Sequence, residues 1–449
     1  MSLSQSRTAP VRRKVLAGGL ALALAVSLAA CGRSSDSSGN DNQGTSGGKT
    51  GELAAAPGFD PTTKTITLGV LTPTSTTAKL ISDPLTAGNK AFYDQLNASG
   101  GIDGKYKVKL EVKDNKYGSG DNTATATAYG QMKDNVVAFQ QVLGTDPVHS
   151  ILSDLEDDNI IAAPATLDAE WYQEANLMPI MAPYQVEVAN ALWYYVNKMD
   201  GKGKKVCTLT SDDGYGNAGL NGVKFAAGKL NVDLTNTQKF KSALTGGSYD
   251  AQVQSLQQSN CDAVFLTSLP SDTLGIFNAA ISKNFAPMWI GTSPTWINLL
   301  AAGDVGKYSA EHYVVAAEGP EWGDMSVAGM EKMLDAVKKY APKTEPNFYF
   351  SFGYLQAMAM SQILAKAVKD GDLSRDGVMK AMNSIGKLTF DGAVADQKYG
   401  APDDREPQRE TTIFKVTPDT VKTNGGLTLY AKDAMNFTSD VAKQVPLTN

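Results

Sequence analysis

Val206-Cys207-Thr208-Leu209 and Cys261-Asp262-Ala263-Val264-Phe265-Leu266 are the short apolar runs whose spacing decides the fold. Each has the make-up of a strand buried on both faces, and each is too short for a helix. Around them the sequence reads as strand 204–210, helix 216–229, strand 231–240, helix 249–259, strand 262–267, helix 272–283 and strand 287–291. Strands separated by helices of this length imply βαβ units and a parallel, doubly wound sheet.

The same alternation runs outward towards the N-terminus. A buried strand is expected at 65–71, a helix at 84–98 carrying Leu85, Phe92 and Leu96, and strands at 108–112, 136–140 and 160–163. At 187–199 the residues Val188, Leu192, Tyr195, Val196 and Met199 fall on one helical face. Two such series, divided near residue 185, predict an α/β protein of two lobes, and 449 residues suffice for both. Helices at 326–340, 351–369 and 374–384 exceed what the second sheet needs, so the chain is expected to return to the first lobe. A last strand follows at 412–416. The expected division is 64–185 plus 317–388 for lobe 1 and 186–316 plus 389–449 for lobe 2.

At the N-terminus, Arg12, Arg13 and Lys14 precede an almost unbroken apolar stretch, 15–30, that ends in Leu28-Ala29-Ala30 before Cys31. Basic patch, short apolar core and small residues make a secretory signal, too short to be a spanning helix. Leu28-Ala29-Ala30-Cys31 resembles a bacterial lipobox. That resemblance implies a signal peptide over 1–30, diacylglycerol on the Cys31 thiol, and a chain anchored by lipid outside the cytoplasm. Residues 31–63, rich in Ser, Gly, Asp and Asn in their first part, are expected to be a flexible tether, with order starting near Lys64.

Composition narrows the function. Hydrophobic residues make up 42% and charged residues 20%, a soluble globular balance. The formal charge is −6 before the signal takes its four basic side chains away, so the mature chain is more acidic still. An acidic surface is a poor partner for nucleic acid. Beyond Cys31 only Cys207 and Cys261 remain; export permits a disulfide between them, and two buried free thiols are the alternative. His149 and His312 have no metal-ligand neighbours at helical or loop spacing. Gly246-Gly247-Ser248 lacks the second glycine of a nucleophile elbow, and no glycine loop ends in the Lys-Ser or Lys-Thr of a phosphate cradle. No metal, no cofactor and no catalytic trio is expected, which argues against an enzyme.

Asn97-Ala98-Ser99-Gly100-Gly101-Ile102-Asp103-Gly104 lies between a helix and a strand. Its glycines suit a helix C-cap followed by a turn with positive φ. The segment resembles the Asn-x-x-Gly-Gly-Ile-x-Gly signature of type I periplasmic binding proteins, the leucine/isoleucine/valine-binding-like solute receptors of ABC transporters. The resemblance continues through Asp213-Gly214-Tyr215-Gly216 and Tyr354 and covers about residues 64–435. It implies two Rossmann-like lobes joined by three crossover strands, closing as a hinge over a small molecule. It also implies an ABC permease and ATPase as partners, and no covalent chemistry. A ligand sensor of the same fold without transport is the alternative; an extracytoplasmic hydrolase is a more distant one.

The resemblance also assigns ligand contacts. Thr145 matches the hydroxyl residue at a helix start that binds a ligand carboxylate, and helix capping is its other role. Ala165 and Thr166 match the loop that completes that pocket. Thr74 and Ser75 border the cleft from the first strand-to-helix loop, and Tyr215 caps the ligand from the second lobe. Two departures matter. The segment Gly291-Thr292-Ser293-Pro294-Thr295-Trp296 has no carboxylate for a ligand ammonium, and Ser268-Leu269-Pro270 replaces a frequent aromatic. Ser293 is therefore expected to meet the ligand as a neutral group, and Trp296 and Tyr349 to stack on a ring or apolar tail. The expected solute is a small carboxylate, amide or aromatic compound and not a simple zwitterionic amino acid.

Overall fold

The computed structural model describes residues 52–118 and 122–448. The signal, Cys31 and most of the tether lie outside the described residues. Packed structure begins before Lys64: Leu53 and Phe59 are buried in the first hydrophobic core. β1 (Phe59–Asp60) runs antiparallel to the start of β2 (Thr65–Thr72).

From β2 the chain passes through α1 (Lys79–Ala98), β3 (Lys107–Asp114), α2 (Thr123–Met132) and β4 (Ala138–Leu143). The short helices α3 (Thr145–His149) and α4 (Leu152–Asp157) then lead to β5 (Ala162–Ala165). The strands β3, β2, β4 and β5 lie parallel in that order. The Asn97–Gly104 turn behaves as its sequence implies. Gly100 (φ 118°) and Gly101 (φ 89°) end α1 with bonds from their amides to the carbonyls of Asn97 and Leu96, a Schellman pattern. The Asn97 side chain pairs both ways with the Val108 backbone, at 2.8 and 2.9 Å, and so fixes α1 to β3.

The second series is α5 (Tyr184–Lys198), β6 (Val206–Ser211), α6 (Gly214–Leu230), β7 (Leu234–Phe240), α7 (Asp250–Gln258) and β8 (Ala263–Thr267). It continues through α8 (Pro270–Ser282), β9 (Met288–Gly291), α9 (Gly303–His312) and β10 (Tyr313–Ala317). After it come α10 (Ala328–Tyr340), α11 (Phe348–Asp370) and α12 (Arg375–Asn383), then β11 (Gly386–Leu388) and β12 (Gln397–Tyr399) as a hairpin. β13 (Thr412–Val416), α13 (Val421–Asn424) and β14 (Leu427–Leu429) close the chain. The second sheet has the order β14-β13-β10-β9-β8-β6-β7, parallel from β7 to β10, with β13 and β14 antiparallel additions.

The late helices do return to the first lobe: α10 and α11 pack on α1, and residues of all three share its core. The chain thus crosses between the lobes after β5, after β10 and between β11 and β13. Cys207 on β6 and Cys261 just before β8 are disulfide-bonded, with Cα atoms 5.9 Å apart, because β6 and β8 are adjacent parallel strands. α1 starts at Lys79 and not at residue 84, so Pro84 is an interior residue of the helix. α9 and β10 carry no expectation from the sequence. Glycines at 303 and 306 weaken the helical pattern of the one, and the other is only five residues long.

Candidate functional site

Parallel strands of both sheets aim their carboxyl ends at one cavity, the place where doubly wound folds bind ligands. Leu143 and the Ala165–Thr166 pair stand at the ends of β4 and β5; Ser293, Pro294 and Glu318 follow β9 and β10. Helices supply the rest. Ile81 and Leu85 come from α1, Tyr215 from the first turn of α6, Met330 and Met333 from α10, and Tyr349, Phe352 and Leu355 from α11. No Lys, Arg or His is among the described residues that line it. The cavity is apolar, with a few fixed polar atoms.

Those polar atoms are largely committed to one another. Thr166 Oγ1 is 2.6 Å from Thr145 Oγ1, and the Tyr215 hydroxyl is 2.7 Å from Thr292 Oγ1. The Tyr349 hydroxyl lies 2.9 Å from the carbonyl oxygens of both Pro294 and Trp296, so it ties α11 to the loop after β9. Burial raises the phenols of Tyr117, Tyr184, Tyr215 and Tyr349 well above their usual range, so all four stay neutral.

Five of the expected contacts meet at the cavity: Ala165, Thr166, Tyr215, Ser293 and Tyr349. Thr145 stands one bond behind Thr166 and borders the adjoining mouth with Asp146 and Asp213. Three do not come together with them. The Thr74 amide and the Ser75 hydroxyl are both held by the Asp114 carboxylate, which draws that loop onto the end of β3. Trp296 is packed in the second-lobe core against Tyr313 and does not line the cavity; only its carbonyl reaches it, through Tyr349. Tyr349 itself lines the cavity.

Sequence reasoning missed Glu318, Glu187 and the methionines of α10. Glu187 lies on the buried face of α5 and accepts from the backbone N–H and the hydroxyl of Ser293, both at 2.8 Å. Its signal was an acid in a helix first turn, flanked directly by Val186 and Val188. Glu318 follows β10, a strand the pattern did not reveal. The segment after β9 indeed has no carboxylate, yet Glu318 brings one to the cavity from the next strand. His149 pairs with Glu170 at 2.6 Å, packs at a tilt against Trp171 and does not line the cavity. Among the described residues no cluster of His, Cys, Asp or Glu is placed to hold a metal ion, and no helix is long and apolar enough to cross a membrane.

The profile of one family, periplasmic binding protein, matches residues 65–424. The chain belongs to that family. Solved structures of several members share its fold, each at low identity. A fatty acid ABC transporter substrate-binding protein from Thermomonospora curvata is 23% identical with a TM-score of 0.79, covering 88% of this chain and 97% of its own. A branched chain amino acid ABC transporter protein from Thermus thermophilus with bound valine is 16% identical with a TM-score of 0.67, covering 85% and 98%. A leucine binding protein from Thermotoga maritima is 14% identical with a TM-score of 0.66, covering 82% and 98%. No curated protein sequence matches the chain. In this periplasmic binding protein the cavity lies where the carboxyl ends of the parallel strands of both sheets meet.

Proposed function

We propose that this periplasmic binding protein is the solute receptor of an ABC importer, held outside the cytoplasm by lipid on Cys31, and that its solute is rich in hydrocarbon. The apolar lining of the interlobe cavity carries the second part. A zwitterionic amino acid of small size would leave most of that lining unfilled and would place two charges among groups that already bond one another. A carboxylic acid, alcohol or amide with a long or bulky tail fits the mixture of aliphatic, Met and aromatic side chains. The likeness to a fatty acid transporter component points the same way, although at 23% identity it supports the fold above all.

In this reading Ala165, Thr166, Tyr215, Ser293 and Tyr349 surround the solute, with Thr145 supporting Thr166. The two lobes, joined where the chain crosses after β5, after β10 and between β12 and β13, close on it. Closure is worth only the difference in solute affinity between open and closed forms. A permease and ATPase supply the energy of transport, and the receptor releases its cargo chemically unchanged. One acyl chain anchors marginally, so Cys31 needs at least two.

Calorimetric titration of the full-length protein tests the assignment. Palmitic or decanoic acid is expected to bind and valine is not; tight valine binding with no response to either fatty acid refutes it.

A further inference from the structure

The cavity and the mouth beside it differ in character and share one wall. Tyr117, Tyr215 and Leu269 line both spaces. Tyr117 reaches this neck from the first sheet, in the turn after β3; Leu269 follows β8 and Tyr215 opens α6, both on the second sheet. Leu269 is buried in one cluster with Ile81 and Leu85 of α1 and Leu143 of β4, and the Tyr117 side chain packs on the same cluster. Inside the neck the lining is apolar. Outside it, Asn122, Asp146, Asp212, Asp213, Lys241 and Thr245 line the mouth, and Asp212, Lys241 and Thr245 are exposed to water.

The chain holds Tyr117 at this neck deliberately. Lys116 and Tyr117 are consecutive side-chain-bearing residues in the left-handed region, with φ of 54° and 56°. Such backbone is costly and persists where its surroundings over-determine it. Asp114 Oδ1 accepts from the Lys116 N–H at 2.9 Å, and Asn115 Oδ1 from the Tyr117 N–H at 3.0 Å. The buried Asn115 amide also donates to the Leu143 carbonyl at 3.0 Å, which pins the turn to the end of β4. Gly144 leaves room for the ring, since a Cβ there would stand 3.2 Å from Tyr117 Cε2.

We propose that Tyr117 is a specificity-determining residue, and that the solute is an amphiphile threaded through the neck, with its hydrocarbon in the cavity and its polar head in the mouth. This rests on the receptor reading above and assigns the two ends of its solute. The head keeps its water in the mouth, so capture desolvates the tail alone. A charge at the far end of the tail would be buried among apolar groups without a partner. Selection therefore falls on the tail and hardly on the head. The Tyr117 ring and Leu269, meeting from the two sheets, bar the tail from slipping back.

Two arms test the proposal on the full-length protein. The first compares decanoic acid, N-decanoylglycine and decanedioic acid by calorimetry. The glycine conjugate, which only enlarges the head, is expected to bind within about tenfold of decanoic acid, because a hydrated charge gains little from its neighbours. Decanedioic acid, with a charge at the buried end, is expected to bind at least about a hundredfold more weakly. In stopped flow, Tyr117→Ala is expected to speed dissociation of decanoic acid by about tenfold or more, and Tyr117→Phe, which keeps the ring, to retain the wild-type rate. Failure of N-decanoylglycine to bind where decanoic acid does, equal binding of decanedioic acid, or an unchanged dissociation rate in Tyr117→Ala overturns the proposal. The second arm needs no solute. Cys207 and Cys261 are bonded to each other, so a thiol placed in the cavity by Met333→Cys reports entry through the neck, read as peptide mass after a timed pulse of methyl methanethiosulfonate. Adding Tyr117→Ala is expected to speed its modification by about tenfold or more; equal rates refute the neck. Should none of the three probes bind, the hydrocarbon reading fails by itself, and the thiol rates still decide whether Tyr117 bars the cavity.

Discussion

The backbone amide of Gly214 donates a 3.0 Å hydrogen bond to Oδ1 of Asp146, and this bond joins one lobe to the other. Asp146 lies in α3 after β4; Gly214 opens α6, whose cap Asp213 accepts from the Gly216 amide at 2.8 Å. A carboxylate at a helix N-terminus meets unpaired donors and the positive end of the helix dipole. Because the bond spans the two lobes, parting them would break it.

Removing it weakens capture. Hydrogen bonds to a charged group are worth about 1.5–3 kcal/mol net, and Asp146 is only part-buried, so Asp146→Ala is expected to lower solute affinity by about tenfold. Gly214→Ala acts more strongly: its Cβ would stand 2.6 Å from Asp146 Oδ1 and 2.7 Å from Thr145 Cγ2. Calorimetry with the co-purified solute reads the affinity. Small-angle scattering is expected to show the Gly214→Ala protein remaining open at saturating solute.

The cavity runs beneath α10, where Met333 is 3% exposed. Met333→Trp fills that space at a stability cost of about 1–3 kcal/mol from overpacking. A series of fatty acids of increasing length is expected to separate the variant from wild type. The longest members lose at least about tenfold in affinity, since each buried methylene is worth about 0.8 kcal/mol, and the shortest change little.

The Cys207–Cys261 disulfide closes a loop with a sequence separation of 54 between two strands of one sheet. Chain-entropy arguments put its contribution at about 4 kcal/mol. Replacing both cysteines by alanine is expected to lower the denaturant midpoint accordingly, and reductant is expected to lower the wild-type midpoint but not that of the variant.

Asn97 provides a local test of the turn after α1. Its amide satisfies both polar groups of Val108, so Asn97→Ala leaves two backbone groups without their partner. A loss of about 1–3 kcal/mol in unfolding free energy is expected. Asn97→Asp keeps the acceptor and loses the donor, so it is expected to fall between the two.

The alternation of apolar runs made the two sheets legible, because strands buried on both faces leave continuous hydrophobic stretches that helices interrupt. Asn97, Gly100 and Gly101 were legible as a turn for the same local reason. β10 was not: Tyr313–Ala317 is short and enters the sheet beside β9 through long-range pairing alone. Losing β10 also hid Glu318, the residue that follows it. Thr166, Tyr215 and Ser293 reached the cavity because they follow strand ends. Thr74 and Ser75 also follow a strand end, but the Asp114 carboxylate takes their polar groups first. Which competing partner wins is a matter of three-dimensional placement, beyond any pattern in the chain.

Native mass spectrometry of the protein purified without denaturation tests the central claim most directly. One hydrocarbon-rich molecule per chain is expected, released on unfolding and recovered with its mass unaltered after reloading. Recovery of leucine or valine instead, or of a reloaded molecule whose mass has changed, contradicts the account.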